Sequence, residues 1–528
     1  MRKLFFMAAL AAMTLVSCNK DNENIGPGGI PDGESTYASF AFNSAKTRAI
    51  ADFNPLGVLA DDAGDEVIDA AGQDLYIIVF NAGGVMESFT EVVNNPQTVL
   101  VTAGSGKRIF VLANMANIES SLVATTGAPT LNTAASSINI AAIQAGITYA
   151  DFMAIAFNAG TPQAFDVTKN TTGRTFSVLP LSTQVGGTYS LGLPMSNSNR
   201  YTFDFAPNVT ETQAESATTP STSGSNPDNR FSIALDYLSA KARLYVNLAG
   251  MPQTIADITN PAYTIKNLAK FTSLSQNVVG GAPRSIYHSH VWGVGSQNQA
   301  TFQPHIDQAS NVLLDPEVAL ANSPFIFVPE NTHANLLRGQ SSFYALNVTY
   351  EPNTIIETVG FNPLSSVSTY TTDAYGNIYS GTGNTYVYVT DATVLGDITT
   401  PFFASVELLA KAYWQNQNNV EATVTNGYVE AAVVSTLTTN EAYKTYLDAQ
   451  SWYRIDMGIG NTAASTVYGV LRGNAYTATI DNITGPGEPS EEDLFDNPDD
   501  PVVARTYINV TIKAAEWYPV TQNGIILH

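Results

Sequence analysis

The stretch from Thr36 to Ile50 reads TYASFAFNSAKTRAI and predicts a short β-strand followed at once by an exposed basic site. Side chains along a strand alternate between its two faces, so Phe40 and Phe42 share one face. The residues after the strand are small and polar, which leaves the bond between Arg48 and Ala49 within reach of a trypsin-like protease. We therefore predict a strand with one aromatic face, joined to the rest of the chain by a cleavable link. The alternative is an ordinary edge strand beside an incidental arginine.

Residues 1–17 have the features of a secretory signal peptide, because Arg2 and Lys3 precede an apolar run that is too short to span a bilayer. Cys18 is the only cysteine in 528 residues, so no internal disulfide can form. Its setting, Leu-Val-Ser-Cys, resembles the lipobox of bacterial lipoproteins, in which the thiol carries lipid such as diacylglycerol or palmitate. We predict an exported chain that is anchored to a membrane through Cys18.

Residues 18–48 are predicted to form a propeptide that contains the lipidated cysteine, a tether and the removable strand. The tether, residues 19–35, reads NKDNENIGPGGIPDGES and is too polar and too rich in Gly and Pro to form a core.

Composition bounds the rest of the chain. A length of 528 residues with 44% hydrophobic side chains favours two or more globular domains. The 23 Lys and Arg residues face 46 Asp and Glu residues, a net charge of −23, which argues against a nucleic-acid partner. Charged residues make up only 13% of the chain, and the abundance of Thr, Val and Tyr favours strands over helices.

Two segments of the first half read as strand, turn and strand. Residues 73–89, QDLYIIVFNAGGVMESF, predict a hairpin, and residues 98–115, TVLVTAGSGKRIFVLANM, predict two strands around a hairpin turn. The GSGK sequence in the second segment resembles a phosphate-binding loop. That motif requires Gly where Val101 stands and Ser or Thr where Arg108 stands, so the hairpin turn is favoured.

The pattern along the chain predicts a mostly β protein in two lobes. We place an N-terminal domain at 49–215, a linker at 216–227 and a C-terminal domain at 228–528. The linker is rich in Ser, Thr, Pro and Gly. Helices are predicted near 148–157, at 405–412, and at 440–449 with Thr439 as N-cap.

An ordered set of short motifs lies at 15–18, 47–49, 79–87, 107–115, 193–196, 240–241, 328–332, 452–454, 468–476 and 485–489. This set resembles a Bacteroidales fimbrillin, a type V pilin of the minor-fimbrium major-subunit family. Two departures from that family's usual pattern are Gly473 and Asn474 after Arg472, and Leu238-Ser239 before Ala240-Lys241.

This resemblance implies a fold of two transthyretin-like β-sandwich domains with a few short helices. It also implies cleavage after Arg48 by an arginine-specific protease, and assembly by strand exchange into a homopolymer that also contacts anchor and tip subunits. The location implied is a fimbrium at the surface of the outer membrane, to which lipid would hold the precursor. Loss of Phe40 and Phe42 would open a hydrophobic groove. Burial of each of these side chains stabilises the folded domain by roughly 1.5–3 kcal/mol.

The candidate donor strand is residues 518–528 of a neighbouring copy, which would pair by β-augmentation and propagate a filament. Its alternation leaves the register open, because Val520 and Ile526 share one parity while Ile525 and Leu527 share the other. A last strand folded into its own domain is the alternative. The preceding segment, 508–514, alternates cleanly and is the better intramolecular strand.

Catalytic and metal sites are weakly indicated. His288 and His290 offer two ligands without an evident third, and the acidic loop 491–500 is favoured as a solvated loop over a Ca²⁺ site. No nucleophile elbow or zinc-protease motif is present, so we expect neither an enzyme nor a cofactor. The predicted function is a shaft pilin that supports adhesion, and the alternatives are a tip or accessory fimbrial adhesin or a glycan-binding surface lipoprotein.

Overall fold

The structure is a computed structural model of the chain, and the predicted mostly β class with a few short helices is confirmed. It describes residues 33–44, 75–92, 96–113, 122–124, 136–158, 195–197, 200–216, 218–269, 271–275, 277–279, 282–284, 305–306, 312–313, 326–333, 337–365, 367–373, 385–394, 396, 398, 400–457, 469–495 and 508–516. The predicted signal peptide lies outside these residues. Within them, no helix has the length and apolar character needed to cross a membrane.

The strands of the first half are β1 (Ser35–Ser44), β2 (Leu75–Phe80), β3 (Met86–Glu91), β4 (Gln97–Thr102), β5 (Gly104–Ala113), β6 (Leu122–Ala124), β7 (Ser136–Ser137), β8 (Ile155–Asn158), β9 (Met195–Asn197), β10 (Tyr201–Phe205), β11 (Gly224–Asn226) and β12 (Arg230–Tyr237). The helices of this half that the structure describes are α1 (Ile140–Gln144), α2 (Tyr149–Met153) and α3 (Glu211–Ala214).

The strands of the second half are β13 (Ser239–Val246), β14 (Ala256–Lys266), β15 (Leu268–Ala269), β16 (Phe271–Ser273), β17 (Asn277–Val279), β18 (Ala282–Arg284), β19 (His305–Ile306), β20 (Val312–Leu313), β21 (Ile326–Pro329), β22 (Phe343–Pro352), β23 (Ile355–Asn362), β24 (Val367–Asp373), β25 (Tyr386–Val389), β26 (Phe402–Phe403), β27 (Tyr443–Tyr446), β28 (Gln450–Asp456), β29 (Asn474–Ile483) and β30 (Ile508–Glu516). Its described helices are α4 (Val406–Asn418) and α5 (Glu430–Thr439), with short 3₁₀ turns at Ala392–Val394, Val424–Asn426 and Glu492–Phe495, after one at Leu248–Gly250.

The first half is built on one sheet of nine strands. Its main path runs β11-β10-β5-β9-β12-β1-β4, and β2 joins it by pairing with both β3 and β5. The predicted β2–β3 hairpin is confirmed by its antiparallel ladder, and Gly84 in its turn has φ +82°, which favours glycine. The predicted helix near 148–157 is shorter than expected, since α2 spans Tyr149–Met153.

The predicted hairpin through GSGK is wrong. Strand β4 pairs with β1, whereas β5, which begins at Gly104, pairs with β2, β9 and β10. The lysine of this segment is buried, and Lys107 Nζ lies 2.8 Å from Glu87 Oε1 and donates to Thr102 Oγ1 at 2.8 Å. Its charge is therefore neutralised within the sheet, and the phosphate-loop interpretation fails on structure as well as on spacing.

The predicted boundary between the two halves also needs correction. The predicted bounds assign β12 to the second domain, but β12 pairs in parallel with β1 and antiparallel with β9. The predicted linker 216–227 contributes β11 to the same sheet. The chain passes to the next sheet between Tyr237 and Ser239, where β13 begins and pairs with β21 and β29.

The second half contains two sheets of four strands, β21-β13-β29-β30 and β20-β14-β22-β28. Their inner faces share one hydrophobic core, to which β13 contributes Leu244 and β14 contributes Tyr263 and Ile265. Burial raises the pKa of Tyr263, whose hydroxyl bonds to the backbone of Leu244 and thereby links the two sheets. This pairing of sheets is the arrangement of a β-sandwich.

A five-stranded sheet, β24-β23-β26-β25-β27, packs against α4 and α5 around a smaller core. The predicted helix at 405–412 is confirmed as the start of α4, and Ser405 caps it by accepting from Leu408 N. The predicted helix at 440–449 is wrong. Strand β27 lies there and pairs with β25, and Ala449 has φ +54°, while the helix precedes this segment as α5.

Candidate functional site

Strand β1 occupies an interior position in the first sheet. It pairs in parallel with β12 from Ser39–Arg230 to Ser44–Leu235, and antiparallel with β4 from Ser35–Thr102 to Phe40–Gln97. Within the described residues β4 has β1 as its one ladder partner, since it ends the path of the sheet. Strand β1 is therefore an interior strand of this sheet, and the alternative interpretation of the sequence, an ordinary edge strand, is wrong.

The aromatic face of β1 lies in the core, as the alternation predicted. Phe40 is fully buried and Phe42 is 6% exposed. The Phe40 ring centroid lies 6.0 Å from that of Phe231 on β12 and 6.2 Å from that of Phe205 on β10. Burial of the two side chains contributes about 3–6 kcal/mol in total at ~1.5–3 kcal/mol each.

A buried polar contact holds the start of β1. We call it the clasp and define it as the backbone of Ala206 and Val209 with the side chain of Asn229. The Thr36 hydroxyl donates to Ala206 O at 2.7 Å and accepts from Val209 N at 3.2 Å and from Asn229 Nδ2 at 3.1 Å. Because a hydroxyl can donate and accept at once, Thr36 matches groups of both kinds.

Asn229 is the centre of the clasp. Its side chain is fixed by Ala206 N, which donates to Oδ1 at 2.7 Å, and its Nδ2 also donates to Tyr37 O at 3.0 Å. The residue is fully buried and has φ +49°, a left-handed conformation that Asn adopts more readily than most residues. Asn229 O accepts from Ser39 N at 2.9 Å, so this one residue bonds to Thr36, Tyr37 and Ser39 of β1 through its side chain or its backbone.

We expect the clasp to contribute measurably to the stability of the uncleaved chain. The substitution Thr36→Val keeps the shape of the side chain but removes the hydroxyl, leaving Val209 N without that acceptor and Ala206 O without that donor. The unfolding free energy should fall by about 1–3 kcal/mol. Denaturant unfolding measures it, and Thr36→Ser, which retains the hydroxyl, is the matched control. Equal stability of the Val variant and the wild-type chain would contradict this assignment.

Several predicted site residues lie outside the described residues. These are the lipidation residue Cys18, the cleavage residues Arg48 and Ala49, and the donor-strand residues Val520, Ile525, Ile526 and Leu527. The structure does describe the segment just before the candidate donor. Strand β30 pairs antiparallel with β29 from Asn474–Glu516 to Ile483–Ile508, which confirms 508–514 as an intramolecular strand.

The other candidate sites are used in structural contacts or are not described. Glu491 of the acidic loop pairs with Lys266 at 2.9 Å, and Asp493 accepts from Ser490 N at 3.1 Å. Histidines His288 and His290 lie outside the described residues. Among the residues that are described, no three His, Cys, Asp or Glu side chains come together as metal ligands.

Arg472 and Gly473, where the sequence departs from the pattern of the family that it resembles, lie in a buried polar junction. Arg472 Nη2 bonds to Glu330 Oε2 at 3.0 Å and to Ser273 O at 2.7 Å, and both charged side chains are at most 1% exposed. Gly473 has φ +68°, and a Cβ there would come within 2.0 Å of Asp236 Oδ1. The glycine is therefore required by backbone conformation and by space.

The sequence reasoning missed Thr36 and Asn229. Thr36 could have been found, because it continues the buried parity of Phe40 and Phe42 as a polar residue. No local signal identifies Asn229 as its partner, since the two residues are 193 positions apart.

A comparison with models of known families gives a match near the end of the chain. Residues 444–523 match the model for the major fimbrial subunit protein type IV, fimbrillin, C-terminal. The matched segment contains β28, β29 and β30 and continues into the candidate donor strand. A comparison with curated proteins gives no match.

Solved structures with similarity to the chain include proteins described as cell adhesion proteins. One from Parabacteroides distasonis has 12% identity and a TM-score of 0.39, with 93% of this chain and 99% of that chain covered. One from Bacteroides eggerthii has 14% identity and a TM-score of 0.35, with 93% and 98% covered. The tip fimbrial protein Mfa3 of Porphyromonas gingivalis, with a C-terminal truncation, has 13% identity and a TM-score of 0.33, with 92% and 100% covered.

Proposed function

We infer, from the premise that this chain is a fimbrillin-type fimbrial protein, that it is a shaft subunit that polymerises by strand exchange. The match over 444–523 confirms the predicted resemblance to fimbrillins, and a fimbrillin is a surface component that assembles with other fimbrial subunits. The finer assignment, to the type V pilins of the minor-fimbrium major-subunit family, is part of this proposal. So are export as a lipoprotein through Cys18 and anchoring of the precursor at the outer membrane.

One observation carries the proposal: a strand that precedes the predicted cleavage site fills an interior position in the first sheet. Cleavage after Arg48 would leave β1 attached to the subunit by noncovalent contacts alone. Its departure would expose the groove between β4 and β12 and the rings of Phe205 and Phe231. An open groove with unpaired strand edges on both sides templates another strand.

The C-terminal segment of a second copy is the proposed occupant of this groove. Strand β30 completes the ladder of its own sheet and ends at Glu516, so the residues after it are not needed for that ladder. Groove and donor are different surfaces of the subunit, so the contact is heterologous and extends into a filament. Subunits at the anchor and tip positions would end the polymer.

We also propose a structural role and not a catalytic one. Two of the side chains that suggested chemistry in the sequence, Lys107 and Glu491, have structural partners in the Lys107–Glu87 and Lys266–Glu491 ion pairs.

The proposal predicts that subunits in the filament begin at Ala49. An arginine-specific protease would remove lipid, tether and β1 together, because all three precede the same bond. N-terminal sequencing of subunits from purified filaments tests this, with the Arg48→Ala chain as the control that should stay unprocessed and monomeric. A filament subunit that began at Cys18, or anywhere else before Arg48, would contradict the proposed processing.

A tip or accessory fimbrial adhesin is the second candidate, supported by the adhesion-related match. Such a subunit would be incorporated at one end and would form no polymer by itself. Electron micrographs of the pure, protease-treated chain separate the two, because only a shaft subunit makes filaments alone. A glycan-binding surface lipoprotein would retain its N-terminus and also remain monomeric.

A further inference from the structure

The clasp binds a hydroxyl at one position of the strand that lies beside β12, the hydroxyl of Thr36. Asn229 Nδ2 and Val209 N point donors at the Thr36 oxygen, and Ala206 O accepts the hydroxyl proton. Among side chains of this size, only Ser and Thr both accept and donate through one atom. When β1 leaves, these groups lose the partners it supplied, and leaving buried polar groups unpaired is costly.

We propose that the clasp sets the register of the incoming strand by binding the hydroxyl of Thr521 from a second copy. This inference rests on the proposed strand exchange and adds the residue that is recognised. In the segment 518–528 the hydroxyl-bearing residues are Tyr518 and Thr521, and Thr521 alone carries the short side chain that matches Thr36.

The spacing after Thr521 matches the spacing after Thr36. In β1 the buried apolar positions that follow Thr36 are Ala38, Phe40 and Phe42. With Thr521 in the place of Thr36, the equivalent positions are held by Asn523, Ile525 and Leu527, because the same face recurs at every second residue. Two aliphatic side chains then occupy the sites of the two phenylalanines.

The alternative parity fits less well. If Gln522 took the place of Thr36, Gly524 and Ile526 would follow at the positions of Ala38 and Phe40, and His528 at that of Phe42. Only one of the two sites that Phe40 and Phe42 occupy would then receive an aliphatic side chain. At the clasp, a side-chain amide would replace the hydroxyl. The clasp therefore selects between two registers that hydrophobic alternation alone left open.

The clasp also fixes the direction of the incoming strand. The large sites at Phe40 and Phe42 follow the clasp in the direction of β1, which runs parallel to β12. In the reversed direction the large sites would fall to residues before Thr521, and the strand that ends at Glu516 belongs to the donor's own sheet. The incoming strand must therefore run parallel to β12 and antiparallel to β4.

A cysteine pair measures this register directly. In the structure Tyr37 lies opposite Leu100 of β4, and Tyr37 N donates away from β4, to Val209 O. The pair is thus of the non-hydrogen-bonded kind, in which opposite side chains lie closest. Leu100 is 49% exposed, so a cysteine there is accessible. In the proposed register, Gln522 takes the place of Tyr37.

The experiment uses the full chain with Cys18→Ala, so that the two introduced cysteines are the only thiols. The Leu100→Cys, Gln522→Cys chain is cleaved with an arginine-specific protease, allowed to assemble, oxidised and run on a non-reducing gel. We expect a covalent ladder of multimers. The matched chain with Leu100→Cys and Asn523→Cys should give little or none, because adjacent residues of a strand point to opposite faces.

Each other outcome overturns a distinct statement. A ladder from Asn523→Cys and none from Gln522→Cys would refute the register while leaving strand exchange intact. An oxidised monomer with an internal cross-link would place the tail in its own subunit and refute the proposed function itself. Filaments that form but cross-link with neither pair would refute the proposed placement of the incoming strand beside Leu100 of β4.

A second measurement isolates the hydroxyl. Thr521→Val keeps the shape of the side chain, and we expect filament growth to slow about tenfold or more. Thr521→Ser should grow at close to the wild-type rate, because the hydroxyl is retained. Equal growth rates for the Val and Ser variants would show that the clasp does not bind the hydroxyl of Thr521. Asn523→Ala should quicken growth, since Asn523 would enter the fully buried site of Ala38.

Discussion

A chain that ends at Trp517 should fold as the full-length chain does and should form no filaments after cleavage at Arg48. Strand β30 pairs with β29 up to Glu516, so the truncation leaves that ladder complete. If the tail acts in a second copy, the monomer should melt cooperatively at nearly the full-length temperature. Calorimetry measures the melting temperature, and electron micrographs of the cleaved protein measure assembly.

The contrary result is equally distinct. If the segment 518–528 were a strand of its own domain, its loss would remove Val520, Ile525, Ile526 and Leu527 from a core. The domain would then lose several kcal/mol, at roughly 1.5–3 kcal/mol for each well-buried aliphatic side chain. A full-length chain with Ile525→Asn and Leu527→Asn serves as the control, because it keeps the length of the tail but lacks the side chains proposed to fill the groove. Filaments from the truncated chain would refute the strand-exchange proposal.

The second large effect is expected at the buried Arg472–Glu330 ion pair. Glu330→Gln removes one charge and leaves the guanidinium of Arg472 buried, with its charge uncompensated in a site that is at most 1% exposed. We expect the unfolding free energy to fall by about 3–5 kcal/mol. Denaturant unfolding of the uncleaved chain measures it.

Two controls separate charge from packing. The double variant Glu330→Met, Arg472→Met removes both charges, and it should recover most of the loss because the desolvation cost of each ion is removed as well. Glu491→Gln breaks the Lys266–Glu491 pair, in which the Glu491 side chain is 31% exposed, and should cost about 0–1 kcal/mol. If Glu330→Gln lowered the unfolding free energy as little as Glu491→Gln does, the Arg472–Glu330 ion pair would not be what stabilises the buried junction.

Local patterns were sufficient to predict the strand at the centre of the site. The period-two alternation of β1 identified the face that Phe40 and Phe42 bury, because that alternation is a property of the strand itself. The β2–β3 hairpin was predictable for the same reason, since its turn and both of its strands are contiguous in sequence.

Pairing between distant strands was not predictable in this way. The GSGK segment looks like the turn of a hairpin, yet β4 does not pair with β5. Strand β4, which begins at Gln97, pairs with β1, which ends at Ser44. The helix predicted at 440–449 failed because the ladder with β25, again a distant partner, overrides local propensity. Glu441 and Asp448 have φ +50° and +51° there, which a helix does not permit.

The boundary between the sheets did leave a trace in the sequence. In β12 the buried apolar residues are odd-numbered, Phe231, Ile233 and Leu235, whereas from Leu238 through Leu244 the buried apolar residues are even-numbered. A change of parity within one extended stretch marks a change of sheet, because a continuous strand keeps each parity on one face. The predicted boundary at 216–227 rests on the composition of that segment, and it therefore precedes β12 instead of following it.

The parallel pairing of β1 with β12 has a mechanical consequence for the proposed filament. A strand in the place of β1 enters at the Arg230 end of β12, whereas β12 continues into the rest of its subunit from the Tyr237 end. Tension along the filament would pull these two parallel strands from opposite ends and load their ladder in shear. Bonds in shear share the force and must break together, whereas bonds that are unzipped break one at a time. The same topology that lets a strand be exchanged would thus give each joint of the filament its tensile strength.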